Sequence, residues 1–242
     1  MNVQIFGRGS NILKPLLLRA GLSIGANPDA IIAYGGDGTF LEAERRFPGI
    51  PKLMISASPT CQKCRGEPAR ILLEKLKEGV LETKELMKLE ARTPSKRLMA
   101  LNDVVIHNAV ATRALRYRVF LGKMLYADGV IGDGVVIATP FGSGGYYRSI
   151  TDSTFMVGIG LAFNNSTRQV DHAVLNDETE IRVEILRGPA LLGVDNVSRL
   201  IKIPTGNSVI VKKAEETTFV LHNDEALLCD ECRRTALRNT VA

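Results

Sequence analysis

The chain has 242 residues, 45% of them hydrophobic and 24% charged, with 5% aromatic content and no tryptophan, which is enough apolar material for one large domain or two small ones. The formal charge of +5 is spread along the chain without Lys/Arg runs or aromatic platforms, which excludes a dedicated nucleic-acid face and fits small anionic ligands. No apolar run approaches membrane-span length, and Met1 leads into Asn2-Val3-Gln4-Ile5-Phe6 without a signal-peptide pattern, so a soluble cytoplasmic protein with no membrane partner is expected.

In chain order, residues 3–6 read as a strand, followed by the loop Gly7-Arg8-Gly9-Ser10-Asn11 and an apolar helix from about 12 to 20. That loop is a plain turn or a weak second phosphate contact, with Arg8 pointing inward and Ser10 or Asn11 capping the helix. A linker with Gly21, Gly25 and Pro28 leads to Ile31-Ile32-Ala33-Tyr34-Gly35-Gly36-Asp37-Gly38-Thr39-Phe40-Leu41, a buried strand that enters a glycine turn and leaves it as a helix. Glycines 35, 36 and 38 permit positive φ and close approach of backbone N–H groups to a ligand. Thr39 and Glu42 have capping-box spacing, and Phe40, Ala43 and Phe47 share a helix face. The positive end of such a helix favours a polyphosphate, and Asp37 supplies one carboxylate to orient Mg²⁺ or take a hydroxyl proton. A bland strand-to-helix turn with a capping aspartate is the competing reading.

Beyond Pro48-Gly49, residues 52–55 read as another strand of a mostly parallel sheet, the loop 56–68 carries Cys61 and Cys64, and a helix covers about 69–78. From Thr83 the texture becomes alternating and β-branched, and a boundary falls near Ser95-Lys96-Arg97. The expected architecture is an α/β domain over 1–95, three-layered and Rossmann-like, and an all-β domain of packed sheets over 96–214, with the tail 215–242 returning to the first domain. Within the second domain, strands are expected at 155–161, 180–186, 191–194, 200–203 and 208–211, and the tail holds a polar helix through Arg238 with Asp224 as cap.

The four cysteines form two CxxC pairs, Cys61/Cys64 and Cys229/Cys232. Four thiolates in two hooks are the inventory of a tetrahedral structural zinc site, and a returning C-terminus would bring the hooks together. Two disulfides or unpaired buried thiols are the alternatives. His107, His172 and His222 are isolated in sequence and read as structural.

Gly35-Gly36-Asp37-Gly38-Thr39 resembles the signature shared by NAD kinases, diacylglycerol and sphingosine kinases and, more distantly, phosphofructokinases. Residues 132–146 decide among these, because Gly132-Asp133-Gly134, a short apolar strand and Thr139-Pro140-Phe141-Gly142-Ser143-Gly144-Gly145-Tyr146 resemble the GDG and TPTGSTAY block of NAD kinases, which lipid kinases lack. Phe141, Gly144 and Gly145 depart from that pattern, removing a hydroxyl the family places near adenine, a loss worth ~0.5–1.5 kcal/mol for a typical hydrogen bond. Asn102-Asp103 is similar to the asparagine–acid pair that opens the family's second domain, and Asp195-Asn196 to its acidic-glycine turn. Asparagine matches a base edge in both senses, and a carboxylate accepts from ribose hydroxyls.

The resemblance implies a compact NAD kinase with ATP–Mg²⁺ at Gly35, Gly36, Gly38 and Thr39, and Asp37 acting on the 2′-hydroxyl of the adenosine ribose. NAD is bound by Asn102, Asp103, Asp133, Thr139, Gly144, Gly145, Tyr146 and Ser149, with the chemistry in the cleft between domains. It also implies a homo-oligomer, dimer or tetramer, in which neighbouring subunits complete the site. The phosphoryl donor, ATP, another nucleoside triphosphate or polyphosphate, stays open. Competing readings are a lipid-type kinase of the same superfamily, a catalytically silent nucleotide sensor, and a zinc module for a macromolecular partner.

Overall fold

The computed structural model describes residues 1–56 and 68–222. Their elements are, in order, β1 (Asn2–Phe6), a 3-10 turn (Ser10–Leu13) leading into α1 (Lys14–Arg19), β2 (Ser23–Ile24), β3 (Ala30–Gly35), α2 (Asp37–Arg46), β4 (Lys52–Ser56) and α3 (Ala69–Glu78). There follow β5 (Glu82–Arg92), β6 (Arg97–Ala100), β7 (Asp103–Asn108), β8 (Leu115–Leu121), β9 (Met124–Gly132), β10 (Gly134–Ala138) and α4 (Tyr146–Thr151). The last are β11 (Ile159–Asn164), β12 (Ala173–Leu175), β13 (Ile181–Arg187), β14 (Ala190–Val194), β15 (Ile201–Ile203) and β16 (Ser208–His222). Two compact units result, residues 1–86 with 217–222, and residues 87–216.

The first unit is α/β. Strands β2, β1, β3 and β4 lie side by side in parallel, and the end of β16 extends the row by pairing Val220 with Lys52 and Leu221 with Leu53. Ala30, Ile31, Ile32 and Ala33 of β3 are all buried, as a strand covered on both faces requires. Helices α1 and α3 cover one face, where Leu13, Leu17, Leu72, Leu73 and Leu76 pack on Val3, Ala30, Ile32 and Leu53. Helix α3 has the expected limits and stops at Gly79, whose φ of 71° is the left-handed stop of a helix. The continuous helix expected over 12–20 is instead a 3-10 turn followed by α1, because Pro15 in the first turn has no N–H to give. Gly9, with φ 71°, precedes that turn, and no side chain caps it, so Ser10 and Asn11 do not act as caps.

The second unit is two antiparallel sheets packed face to face. One has six strands in the order β12-β11-β10-β7-β14-β15. In the other, β13 pairs with residues 208–211 of β16 and with β8, which pairs with β9, and β5 pairs with β6. Val104, Ile106, Val135, Ile137, Leu161 and Leu192 of the first sheet meet Leu89, Tyr117, Val119, Val183, Ile185 and Val209 of the second. The expected pairing of an α/β part with a part built of packed β-sheets is therefore what this chain forms. Two strands differ from expectation. The one expected at 155–161 begins at Ile159, since Phe155 is used to pack its ring against Tyr147 of α4 at 5.0 Å. The one expected at 208–211 continues to His222, with Val209, Val211, Ala214, Thr218 and Val220 buried along it. The expected tail helix and its Asp224 cap lie outside the described residues, as do the four cysteines.

Candidate functional site

In the first unit the parallel strands end together, with Gly35 opposite Ser56. Gly36 then serves as the N-cap of α2 with φ −107° and ψ −168°, and its carbonyl accepts from Thr39 N at 3.0 Å and Phe40 N at 3.2 Å. The expected capping box is not formed: α2 starts at Asp37, no side chain caps it, Thr39 lies inside the first turn, and Glu42 pairs with Arg46 at 2.7 Å. Nor does Gly36 use positive φ. Glycine is demanded here by contact, since a Cβ on Gly35 would sit 2.2 Å from Thr39 Oγ1. Gly7, with φ 127°, brings the loop after β1 against the same turn, where a Cβ would be 2.0 Å from the Tyr34 carbonyl oxygen; Arg8 beside it is exposed. A helix of ten residues thus opens at the sheet edge with glycine in front of it and a half-buried Asp37 in its first turn. Backbone amides and helix dipole there suit an anion.

In the second unit, strand alternation builds a pocket. Val104 and Ile106 of β7 point into the core, so Asp103, Val105 and His107 face the other way. They line a cavity of about 500 Å³, together with Asn108, Asp133, Tyr146, Asn164 and Asp195. Helix α4 sits on the sheet because β10 and β11 offer it small residues: Ala138 and Ala162 pack with Tyr147 and Phe155, and Gly160 leaves no room for a Cβ, which would lie 2.3 Å from the Phe155 ring.

The Asn102-Asp103 backbone is held from two sides. The Asp195 carboxylate accepts from Leu101 N at 3.0 Å, Asn102 N at 2.7 Å and Asp103 N at 3.3 Å, while Asp195 N donates to the Asp103 carbonyl at 2.9 Å. Asp195 itself has φ 48°, a left-handed turn position. From the other side, Thr139 Oγ1 donates to the Leu101 carbonyl at 2.6 Å and accepts from Gly142 N at 3.0 Å. Gly142 approaches so closely that a Cβ would be 2.0 Å from the Asn102 carbonyl oxygen.

Asp133 accepts from Asn165 Nδ2 at 2.7 Å, and Asn164 Nδ2 donates to the Tyr146 hydroxyl at 3.0 Å. Loss of water, then the negative charges of Asp133 and Asp103, push the Tyr146 hydroxyl above the usual phenol range, so it remains a protonated donor at neutral pH. Burial, and then Asp133, likewise raise Tyr117, whose hydroxyl donates to the Gly134 carbonyl at 2.8 Å.

Of the residues expected in a dinucleotide site, Asp103, Asp133 and Tyr146 share this pocket. Asn102, Thr139, Gly144, Gly145 and Ser149 are not among its described lining residues. Thr139 is fully buried and works through the backbone it holds; Ser149 is exposed and donates to the Tyr146 carbonyl at 2.7 Å. Gly145 is the N-cap of α4, and a Cβ there would meet the Gly142 carbonyl oxygen at 3.3 Å, a tight contact without overlap. His107 and Asn164 are additions that motif reading did not supply, and Asp195, expected as part of an acidic turn, also brings its carboxylate to the pocket. Alternation along β7 would have placed His107 beside Asp103, whereas Asn164 arrives through the pairing of β11 with β10 and leaves no local signal. Among the described residues no group of three or more His, Cys, Asp or Glu side chains is set to hold a metal ion, and no helix is long and apolar enough to cross a membrane.

No family model matches the chain. An NAD kinase of Clostridium perfringens is 29% identical over 211 residues, which cover 81% of this chain and 75% of that protein. An NAD kinase of Pyrococcus abyssi is 36% identical over 130 residues, 50% of this chain and 45% of the other. Among solved structures, an NAD kinase from Archaeoglobus fulgidus in complex with ATP has a TM-score of 0.78 at 17% identity, covering 93% of this chain and 95% of its own. Yeast NADH kinase complexed with NADH has a TM-score of 0.80 at 16% identity, covering 94% and 84%. In sequence along most of its length and in fold along nearly all of it, this chain is similar to NAD kinases.

Proposed function

We infer that the protein is an NAD kinase that transfers the γ-phosphoryl group of ATP to the 2′-hydroxyl of the adenosine ribose of NAD, giving NADP and ADP. The observation that carries this reading is the pocket in which Asp103, Asp133 and Tyr146 converge around a backbone cage built by Asp195 and Thr139. In this reading residues 1–95 bind ATP and residues 96–214 bind NAD. Asp103 accepts from ribose hydroxyls, Asn102 meets the base edge, and Tyr146 donates. Asp133, Thr139, Gly144, Gly145 and Ser149 complete the dinucleotide site. Asp37 takes the 2′-hydroxyl proton or orients that oxygen as the new O–P bond forms and the bond to the ADP oxygen breaks, while the amides at the start of α2, with Gly35, Gly36, Gly38 and Thr39, hold the phosphates.

The half-buried carboxylate of Asp37 is the hard oxygen donor that Mg²⁺ prefers, and Mg²⁺ bound with ATP supplies charge neutralisation on the phosphates. A homo-oligomer belongs to the same reading. Retention of Asp37 speaks against a silent sensor, and the carboxylates in the pocket speak against an apolar lipid acceptor. The deciding experiment is NADP⁺ formation from NAD⁺ with ATP and Mg²⁺, read by a coupled NADP-specific dehydrogenase. Turnover is expected; nucleotide binding without turnover on ATP, other triphosphates or polyphosphate would remove the kinase reading.

Cys61, Cys64, Cys229 and Cys232 we assign as ligands of one structural zinc. Support comes from the donor set and from the strands that precede each cysteine pair in the chain: β4 ends at Ser56 and β16 at His222, and these two strands are neighbours running in parallel. Metal analysis of purified protein should find one zinc per chain, and a chelator should lower the thermal midpoint. A zinc-free protein with four titratable thiols, or with two disulfides, would refute the assignment.

A further inference from the structure

Three buried polar side chains in the first unit take no part in the reaction as described. Lys52 is 0% exposed, Thr218 0% and Glu44 4%. Lys52 Nζ and Thr218 Oγ1 both donate to the same oxygen of Glu44, Oε2, and Lys52 Nζ also donates to the Phe47 carbonyl at 2.7 Å, at the C-terminal end of α2. One carboxylate oxygen therefore joins α2 to β4 and to β16.

Burying an ion pair removes two charges from water, and apolar side chains of similar volume commonly do as well or better for stability. What the pair provides that an apolar contact does not is direction, because hydrogen bonds fix where the carboxylate points. The helix makes that direction matter at its other end. Glu44 follows Asp37 by seven positions, and at about 100° per residue the two side chains differ by only ~20° around the axis. They stand on one stripe of α2, two turns apart. A turn of the helix by about 10° would carry a carboxylate at its rim through ~1 Å, and a misplacement of that size at a reacting group costs up to ~10²-fold in rate.

We propose that Glu44, Lys52 and Thr218 are a positioning set for phosphoryl transfer, fixing the rotation and axial setting of α2 and thereby the place of Asp37. This rests on the reading that Asp37 acts on the acceptor hydroxyl. Lys52 pins the C-terminal end of the helix from β4, the strand next to β3, which delivers the glycine turn.

The test is a triple variant, Glu44→Leu with Lys52→Met and Thr218→Val, which removes both charges of the pair together with the hydroxyl. Its far-UV spectrum and thermal midpoint are expected to match the parent. kcat for NADP⁺ formation, taken per folded molecule as counted by the stoichiometry of nucleotide binding, should fall by ~10- to 100-fold, with KM for NAD⁺ held within about twofold; the count is needed because an inactive fraction alone lowers apparent kcat at constant KM. Lys52→Arg is the companion variant. It keeps the charge and the fold but shifts the donor that sets Glu44, and kcat should again fall with KM unchanged. Full kcat in the triple variant overturns the proposal, as does full kcat in Lys52→Arg should the triple variant not fold. Failure of this idea is separable from failure of the kinase reading: an inactive parent protein removes the activity, whereas an active parent with equally active variants removes only the positioning set.

Discussion

Asp37→Asn lowers kcat for NADP⁺ formation by at least ~10²-fold and by as much as ~10⁴-fold, the range that a positioned general base contributes. Asparagine has the same shape and is at home in the first turn of a helix, so α2 still begins after Gly36 and the fold is retained. What disappears is the basic oxygen that takes the acceptor proton. Because the amides at the helix start and the pocket in the second unit are untouched, the affinities for ATP and for NAD⁺ change by no more than a few-fold. Rapid-quench single-turnover rates, with nucleotide titrations by calorimetry, measure both halves of the statement. A variant retaining more than a tenth of the parent rate would assign the proton transfer to another group, and equal losses of rate and affinity would make Asp37 a binding residue.

Asp195→Ala carries the second large effect, on the acceptor side. Its carboxylate takes the backbone N–H groups of Leu101, Asn102 and Asp103, so truncation leaves three donors without that partner in a partly buried turn. Hydrogen bonds to a charged group are worth ~1.5–3 kcal/mol each, and loss of about 2–3 kcal/mol in presenting the Asn102-Asp103 pair corresponds to a KM for NAD⁺ raised ~30- to 150-fold. KM for ATP is expected to stay where it is, since the glycine turn lies in the other unit. Asp195→Asn keeps the shape with a neutral acceptor and should fall in between. Steady-state kinetics with each substrate varied in turn checks this; an unchanged KM for NAD⁺ in the alanine variant would show that the turn holds its form without the carboxylate.

Sequence reading reached furthest where structure is local. Helix α3 was legible to the residue, because an amphipathic run bounded by Pro68 and by the left-handed Gly79 carries its own start and stop. The strand, glycine turn and helix around Asp37 were legible as a unit, but the cap was not: Thr39 and Glu42 have the right spacing inside a helix that had already begun two residues earlier, and Gly36 needs no side chain to begin it. Asp103, Asp133 and Tyr146 were found through motif resemblance, which encodes proximity that the chain order hides. The hydrogen-bonding role of Asp195 was not, since it depends on β14 lying beside β7 and delivering a carboxylate 92 to 94 positions away. The full length of β16 was missed for a related reason. Lys212, Lys213, Glu215 and Glu216 look like the start of a polar tail, yet the buried residues on either side of them belong to one strand.

That strand also governs the order in which the protein can be finished during synthesis. The sheet around the glycine turn needs Val220 and Leu221 to cover the edge of β4, and Glu44 needs the hydroxyl of Thr218 from 174 positions further on. A chain that lacks residues 217–222 therefore holds β1, β3 and β4 as a sheet with an open edge at β4, and Glu44 of α2 gains its Thr218 bond only once that segment has been made. Closing so long a loop is slow compared with forming a local turn. A nascent chain arrested before residue 217 would expose the edge of β4, a surface that a chaperone or another unfinished copy could occupy.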